Sequence, residues 1–313
     1  MTNCLKTHRS KITHVGVLST VILLSACGNG NNTVQINKPA PRVPDGSALT
    51  QVSSQCQQST LCRTAVQAAN ALSASPESTC YRRESRESTQ AQPFVNLTDS
   101  STAHVSSAGF VSYALNNKDA PVTDAYSEIK AFASDSNNWP QAHEYQAFFE
   151  GVAQDTVRSA HWQASTDLNQ LRVGDVLSWC KGKWCEGAQP DHESGYAGIV
   201  VGVDAVSASQ VKAATSAFPA DTQFWKVAVV DSSWRVHGSN HDQESAVIDK
   251  RHYGGNLHDA RCQFNGGVGA GVVTLAQWQE AEMTRWAYLY FDTPDHKFST
   301  HLSTLRVAFA SPM

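Results

Sequence analysis

The chain has 313 residues, a formal net charge of −4 and 41% hydrophobic residues. This length is enough for one sizeable hydrophobic core with insertions. The net charge is negative and the sequence has no stripe of basic residues, so we do not expect nucleic acid as a partner.

The first 26 residues have the order of an export signal. Lys6, Arg9 and Lys11 form a basic region, and the apolar run 15–24 that follows is shorter than the roughly twenty residues that span a bilayer. The sequence Leu24-Ser25-Ala26-Cys27 then resembles a bacterial lipobox, whose cysteine is lipidated and becomes the first mature residue. We therefore predict a signal peptide over 1–26 and a lipid on Cys27. Cleavage removes three positive and no negative charges, which changes −4 to −7. The alternative is an ordinary signal peptide with an incidental cysteine.

The segment 27–53 is rich in Asn, Gly, Pro, Ser and Gln and has few large apolar side chains. Such a composition cannot bury enough surface to fold, so it predicts a flexible tether between the lipid and a domain over 54–313. A lipid chain contributes about 0.8 kcal/mol per buried methylene, which predicts a location at the cell envelope. Gly28 after the cysteine is compatible with an outer-membrane anchor facing the periplasm, if the host has two membranes.

Six cysteines remain once Cys4 and Cys27 are set aside. An even number in an exported chain suggests disulfides. Their spacing favours the local pairs Cys56–Cys62 and Cys180–Cys185, which leaves Cys80 with Cys262. Metal binding is the alternative, but neither local pair is a CxxC, and we predict no bound metal or cofactor.

The domain is predicted to begin with helices and to continue with strands. Apolar spacing predicts helices over 56–75 and 107–115, and β-rich runs predict strands over 176–179, 198–203, 226–230, 271–275 and 286–291. This order indicates an α+β fold in which N-terminal helices pack on an antiparallel sheet. Two long segments near 204–224 and 232–268 are predicted inserts between strands.

Several motifs carry a resemblance to a known family. The run Ser106-Ser107-Ala108-Gly109-Phe110-Val111-Ser112-Tyr113 resembles Asp-Cys-Ser-Gly-Phe-Val-x-Tyr, the nucleophile helix of NlpC-type, papain-like cell-wall cysteine peptidases. The run Leu171-Arg172-Val173-Gly174-Asp175-Val176-Leu177 is similar to that family's Leu-x-Pro-Gly-Asp-Leu turn. The segment 194–202 resembles its strand Gly-His-Val-Gly-Ile-Tyr-x-Gly, and 229–233 and 266–273 resemble later parts. The resemblance covers about 80–292 in patches and implies a papain-like, NlpC-type fold.

The same resemblance implies a degenerate catalytic site. The family's cysteine falls on Ser107, its histidine on Tyr196, and its third polar residue near Asp231. A cysteine beside a histidine at a helix start loses its proton easily, whereas a serine hydroxyl needs an adjacent base. Tyrosine, with a reference pKa of about 10, is a poor base near pH 7. The double replacement therefore predicts loss of peptidase activity. In the structural interpretation, Ser106 and Ser107 cap the helix and the Tyr196 ring fills the old site.

Three functions stay open. The first is a lipid-anchored, non-catalytic protein that binds peptidoglycan peptides or another envelope protein. The second is an active peptidase, amidase or acyltransferase that uses Ser107 with a relocated histidine, for which His192 and His237 are candidates. The third is a structural or inhibitor lipoprotein whose groove is filled. The spacing of His237 and His241 would also suit zinc, but no helical periodicity supports such a site.

Overall fold

The computed structural model describes most of the predicted domain. It describes residues 55–73, 79–81, 94–97, 102–117, 122–133, 139–182, 185, 195–213, 215–233, 266–290, 297–299 and 304–313. All of them belong to one unit, Pro44–Met313. The predicted signal peptide, Cys27 and the tether lie outside the described residues, as do His192, His237 and Cys262. Within the described part of the chain, no helix is both long enough and apolar enough to cross a membrane.

Four α-helices lie in the described residues: α1 (Thr60–Ser73), α2 (Ser107–Leu115), α3 (Thr123–Phe132) and α4 (Ala142–Ala153). The two helices predicted from apolar spacing are α1 and α2. Helix α1 begins later than predicted because a 3-10 turn, Cys56–Gln58, precedes it and the Ser59 hydroxyl accepts from the Cys62 N–H. Helix α4 begins with a capping box, in which the Glu144 carboxylate accepts the backbone N–H of Gln141 at 2.8 Å.

The strands form one large and one small sheet. The large sheet contains β4 (Trp162–Ser165), β5 (Val176–Lys181), β6 (Gly195–Val206), β7 (Gln223–Ser233), β8 (Gly267–Glu280), β9 (Met283–Leu289) and β10 (Leu305–Pro312), in the order β4-β10-β5-β6-β7-β8-β9. Every neighbouring pair in it is antiparallel. The small sheet contains β1 (Thr79–Tyr81), β2 (Phe94–Asn96) and β3 (Thr102–Val105), in the order β1-β3-β2. The predicted α+β class with helices on an antiparallel sheet is confirmed.

The large sheet curls into a partly closed barrel. Strands β5 and β9 are separated by three strands in the sheet, yet the rings of Trp179 and Tyr288 stack at 5.0 Å. We call the concave side the barrel face; its core comprises Leu177, Trp179, Tyr196, Val200, Val227, Val229, Val273, Leu275, Trp286, Val307 and Phe309. Because strand side chains alternate between faces, the remaining apolar residues of these strands point outwards.

Much of the outward side packs against the helices, and this part is called the helix face; outward residues such as Phe224 and Trp278 instead pack with Phe218 and Phe298. The core of the helix face comprises Val176, Ala197, Ile199, Val201, Val230, Val268, Ala270, Ala308 and Ala310, together with residues of α1, α2 and α4 such as Phe110, Val111 and Phe149. A hydrogen bond also joins β5 to α4, because the Ser178 hydroxyl donates to the Ala142 carbonyl at 2.8 Å. Helix α2 lies over the middle strands, β6 and β7, and is joined to β6 by the hydrogen bond between Ser107 and Ala197.

The first predicted insert is shorter than expected. Strand β6 continues to Val206 and β7 begins at Gln223, so parts of 204–224 are strand. The connection between them contains a 3-10 turn, Ala208–Gln210, and Phe218, which packs edge-on against Trp278 of β8 at 5.4 Å. Most of the second predicted insert, 234–265, lies outside the described residues.

Both predicted local disulfides are confirmed. Cys56 is bonded to Cys62 and Cys180 to Cys185, each with a Cα–Cα distance of 5.2 Å. The first closes the turn before α1, and the second lies at the end of β5. Cys80 is also disulfide-bonded, but its predicted partner Cys262 lies outside the described residues.

Candidate functional site

The start of α2 is built by two serines with different roles. Ser106 is the N-cap: its backbone is extended (φ −79°, ψ 174°), and its hydroxyl accepts the Gly109 N–H at 3.0 Å. This bond satisfies one of the helix's unpaired backbone donors. Ser107 follows as the first residue of the helix. The capping role proposed for both serines therefore belongs to Ser106.

Ser107 joins α2 to the sheet. Its side chain is buried, with 3% of its surface exposed, and its Oγ accepts the backbone N–H of Ala197 at 3.3 Å. This is the only hydrogen bond that Ser107 Oγ makes in the described part of the chain. Ser107 does stand at a helix N-terminus, where the helix dipole favours an anion. However, the Ala197 N–H is a donor, and no described group is bonded to the Ser107 hydroxyl that could take its proton.

Tyr196 lies beside this contact in sequence but points to the other side of the sheet. Ala197 belongs to the helix face, so its neighbour Tyr196 belongs to the barrel face. The Tyr196 ring stacks on Trp179, with centroids 3.9 Å apart and planes 18° apart. Its hydroxyl lies over Gly198, where an added Cβ would come within 2.5 Å of the Oη atom. The ring thus fills the barrel and does not face Ser107, contrary to the sequence expectation.

Asp231 occupies the third position of the predicted catalytic triad. It lies on β7, is fully buried, and comes one residue after the Val230–Ile199 pair of β7 and β6. Its neighbour Ser232 faces the helices, because the Ser232 hydroxyl donates to the Val105 carbonyl at 2.6 Å. Alternation therefore places Asp231 on the barrel face, the side that holds Tyr196. The structure separates Ser107 from the other two predicted triad positions by the thickness of the sheet.

No substitute base contacts Ser107 in the described residues. The two histidines proposed for that role, His192 and His237, lie outside them. His104 lies on β3, three residues before Ser107, and is buried, but it makes no hydrogen bond to Ser107 Oγ. The described residues also contain no group of three His, Cys, Asp or Glu side chains able to hold a metal ion.

The turn that resembles the family's Leu-x-Pro-Gly-Asp-Leu motif is a structural junction. The Asp175 carboxylate is buried and accepts the Arg172 N–H at 2.8 Å and the hydroxyl of Ser311 on β10. The Asp175 carbonyl also accepts the Val200 N–H of β6 at 2.9 Å. Burial raises the pKa of Asp175, although the bonds from Ser311 and Arg172 and the Arg172 charge oppose the rise. This residue joins three strands of the sheet.

Two clefts lie away from Ser107. A groove of about 850 Å³ runs past the start of α1 and is lined by residues that include Ser59, Arg172 and Trp225. A smaller cleft of about 480 Å³ is lined mainly by polar side chains, among them Asp167, Gln223 and Gln277. Neither cleft was predicted from the sequence. The larger one includes residues 171–174 of the turn that resembles the family motif, but in both clefts most lining residues meet only through contacts between distant parts of the chain.

Comparison with known proteins identifies no relative. A scan against protein-family models finds no match, and neither do searches of curated proteins and of solved structures.

Proposed function

We propose that this chain is a lipid-anchored protein of the cell envelope with a papain-like, NlpC-type domain that has lost peptidase activity. In this proposal the domain binds peptidoglycan peptides or another envelope protein. The observation that carries it is the state of Ser107, which occupies the motif's nucleophile position. Its side chain is buried and its Oγ is engaged by the backbone N–H of Ala197.

The chemistry of the family requires three groups that act together. A nucleophile attacks the amide carbon, a base takes the nucleophile's proton and later gives it to the leaving amine, and a third group orients the base. Ser107 has no histidine bonded to it among the described residues, and Tyr196 and Asp231 lie on the other face of the sheet. A serine without a base stays protonated near neutral pH, so hydrolysis is not expected.

The relation to the NlpC-type fold is supported by the way the motif patches meet. The start of α2 contacts β6 through Ser107 and Ala197, and the turn before β5 contacts β6 through Asp175 and Val200. The segment before α2 contacts the end of β7 through Val105 and Ser232. Patches that are distant in sequence are therefore neighbours in one domain, and two of these three contacts lie at the start of α2.

We expect the full-length protein, purified in detergent micelles, to bind muropeptides without cleaving them. Ser107→Ala should leave muropeptide affinity within about twofold of the wild type, because a buried hydroxyl that faces a backbone amide does not contact ligand. Calorimetry would measure binding, and mass spectrometry of digested cell-wall sacculi would detect cleavage.

The control is Ser209→Ala, a change at an exposed serine away from α2. Peptide release by the wild type and by Ser209→Ala that disappears in Ser107→Ala would contradict the proposal and favour a serine hydrolase with a relocated histidine. If the protein neither binds nor cleaves muropeptides, the peptide-binding part of the proposal fails.

The lipid anchor has its own test. In a bacterial host supplied with labelled palmitate, the full chain should incorporate label, and Cys27→Ser should abolish it because the thioether to the lipid cannot form. Cys4→Ser is the matched control and should keep the label, since Cys4 leaves with the predicted signal peptide. Label that persists in Cys27→Ser would show that the lipobox interpretation is wrong.

A further inference from the structure

The Cys180–Cys185 disulfide differs from the Cys56–Cys62 disulfide in its surroundings. The two bonds close loops of nearly equal length, with sequence separations of 5 and 6 residues. Loop-closure entropy, which depends on loop length, therefore stabilises them almost equally. A difference in how easily the two bonds are reduced would come mainly from the groups around their sulfur atoms.

Only one of these two disulfides includes a residue that is partly exposed to solvent. Cys56 and Cys62 are 1% and 0% exposed and belong to the apolar core that α1 shares with the sheet. Cys180 is also fully buried, but Cys185 is half-buried. Thiol–disulfide exchange begins when a thiolate attacks one sulfur atom, so access decides which bond reacts. Attack on the second disulfide is therefore expected at Cys185.

Gln146 on α4 directs an acceptor at the buried sulfur of this disulfide. Only 1% of its surface is exposed, and its Oε1 lies 3.3 Å from Cys180 Sγ. Its Nε2 donates to Glu150 Oε2 at 3.0 Å. Because a carboxylate oxygen only accepts, the NH₂ group must face Glu150 and the carbonyl oxygen must face the sulfur. Among the described residues, Gln146 Oε1 has no other hydrogen-bond partner.

A contact with the sheet supports this orientation of the amide. Arg306 of β10 lies opposite Cys180 of β5, and its Nη1 is 3.7 Å from Glu150 Oε2. The Glu150 carboxylate therefore has a guanidinium on one side and the Gln146 amide on the other. A half-turn of the amide would place its carbonyl oxygen against the carboxylate, where two acceptors would face each other without a hydrogen between them.

The contact between Gln146 and Cys180 suits a thiol better than a disulfide. A disulfide sulfur carries no hydrogen, so in the oxidised protein Cys180 donates nothing to the buried Oε1 atom. A free Cys180 thiol has an S–H group, a weak donor that can bond to Oε1 at this distance. A buried acceptor without a donor costs free energy. Reduction therefore satisfies an acceptor that oxidation leaves unsatisfied, which favours the reduced form.

From these observations we propose that Cys180–Cys185 is a thiol–disulfide exchange site that reacts with low-molecular-weight thiols, whereas Cys56–Cys62 is structural. Exposed disulfides are in general the more easily reduced ones. The proposal does not depend on peptide binding near α2, since none of its residues belongs to that helix.

The exchange takes place in two steps. A thiolate attacks Cys185 Sγ and forms a mixed disulfide with it. The bond to Cys180 breaks, and the Cys180 thiolate takes a proton from water and bonds to Gln146 Oε1 through its S–H. A second thiolate attacks the small thiol's sulfur in the mixed disulfide, which releases Cys185 and forms the oxidised dimer of the thiol. Two small thiols are oxidised for each protein disulfide that is reduced.

The test uses the full-length protein in detergent micelles, equilibrated at pH 7 with mixtures of reduced and oxidised glutathione. After an acid quench, alkylation of free thiols and peptide mass spectrometry report the reduced fraction of each cysteine. We define the glutathione ratio as the squared concentration of the reduced form divided by the concentration of the oxidised form. Cys180 and Cys185 should be half-reduced at a ratio at least about tenfold lower than Cys56 and Cys62 require. Circular dichroism verifies that the domain is still folded at that ratio.

Gln146→Leu tests the acceptor, and Gln163→Leu is the matched control at an exposed position on β4. Without Oε1, reduction no longer gains the S–H···O bond, so Gln146→Leu should raise the ratio for half-reduction of Cys180 at least about fivefold. Gln163→Leu should leave this ratio within about twofold of the wild type. A purely structural role of Gln146 predicts the opposite direction, because looser packing would make the disulfide easier to reduce.

Glu150→Ala tests the same acceptor without changing Gln146. The variant frees the amide to turn its NH₂ group towards Cys180 Sγ, where it can donate to a disulfide sulfur. The ratio for half-reduction should therefore rise about fivefold here too. This measurement decides the role of the acceptor if Gln146→Leu does not fold.

Two results would overturn the proposal. The first is reduction of both disulfides at the same glutathione ratio, or only after the folded circular dichroism signal is lost, which would show that Cys180–Cys185 is structural. The second is unchanged or easier reduction in both Gln146→Leu and Glu150→Ala, which would show that the acceptor does not favour the thiol.

Discussion

Replacing Gly267 by alanine should destabilise the folded domain by about 3 kcal/mol or more. Gly267 begins β8 with φ +100°, a conformation that side chains other than glycine rarely adopt. An added Cβ would lie 2.3 Å from Thr79 Oγ1 and 2.6 Å from the Cys80 backbone nitrogen. Since Thr79 Oγ1 also accepts the Val268 N–H at 2.8 Å, relief of the clash would break the bond that joins β1 to β8.

Denaturant unfolding with the disulfides intact would measure this loss. Gly202→Ala is the control: Gly202 lies within β6, and its added Cβ would meet only the Ala228 Cβ at 3.3 Å. We expect that change to alter the free energy of unfolding by no more than about 1 kcal/mol. Equal effects of the two alanines would show that the contact between β1 and β8 does not restrain the fold.

The second large effect is expected at Asp175. Asp175→Ala should cost about 3 kcal/mol, because it leaves the Arg172 N–H and the half-buried Ser311 hydroxyl without their acceptor at the junction of three strands. Asp175→Asn should cost less than half as much. Its carbonyl oxygen can accept from Arg172, and its NH₂ group can donate to the Ser311 oxygen. Chemical denaturation at pH 7 would compare the two variants.

The stability difference between the wild type and Asp175→Asn should depend on pH. Burial raises the pKa of Asp175 above its usual value of 3.8, despite the bonds from Ser311 and Arg172. The folded state therefore binds this proton more tightly than the unfolded state. The resulting stabilisation is complete below the unfolded-state pKa and is lost as pH rises through the folded-state pKa.

Lowering the pH from neutral should thus stabilise the wild type relative to Asp175→Asn, which has no proton to gain at this position. Other acidic groups titrate in both proteins and cancel in the difference. A wild-type advantage that grows as pH rises would mean that the ionised carboxylate, with its hydrogen bonds, is the favoured form.

Features set by local spacing could be predicted well. Apolar periodicity identified α1 and α2, and β-rich runs identified five strands of the large sheet, because each pattern depends on residues only a few positions apart. The disulfides Cys56–Cys62 and Cys180–Cys185 follow from the same proximity. Helices α3 and α4 were not predicted, since aromatic residues there obscure a helical period, although Gln141 and Glu144 give α4 a recognisable start.

The candidate site was predicted less well, for a geometric reason. The resemblance placed Tyr196 opposite Ser107, but a strand turns successive side chains to opposite faces, and a difference of one position reverses the outcome. Ala197 packs on the helix side and Tyr196 enters the barrel with Trp179. A motif alignment fixes which residues are near each other in sequence and does not fix which face each one occupies.

By itself, the sequence determined the α+β class, helices α1 and α2, five strands of the large sheet, the two local disulfides and the presence of serine at the motif's nucleophile position. The tertiary structure decided that Ser107 is bonded to β6, that the Tyr196 ring enters the barrel, and that Leu168 and Gln277, 109 positions apart, are joined by a hydrogen bond. The first set depends on contacts along the chain, whereas the second depends on how the sheet curls and which strands it brings together.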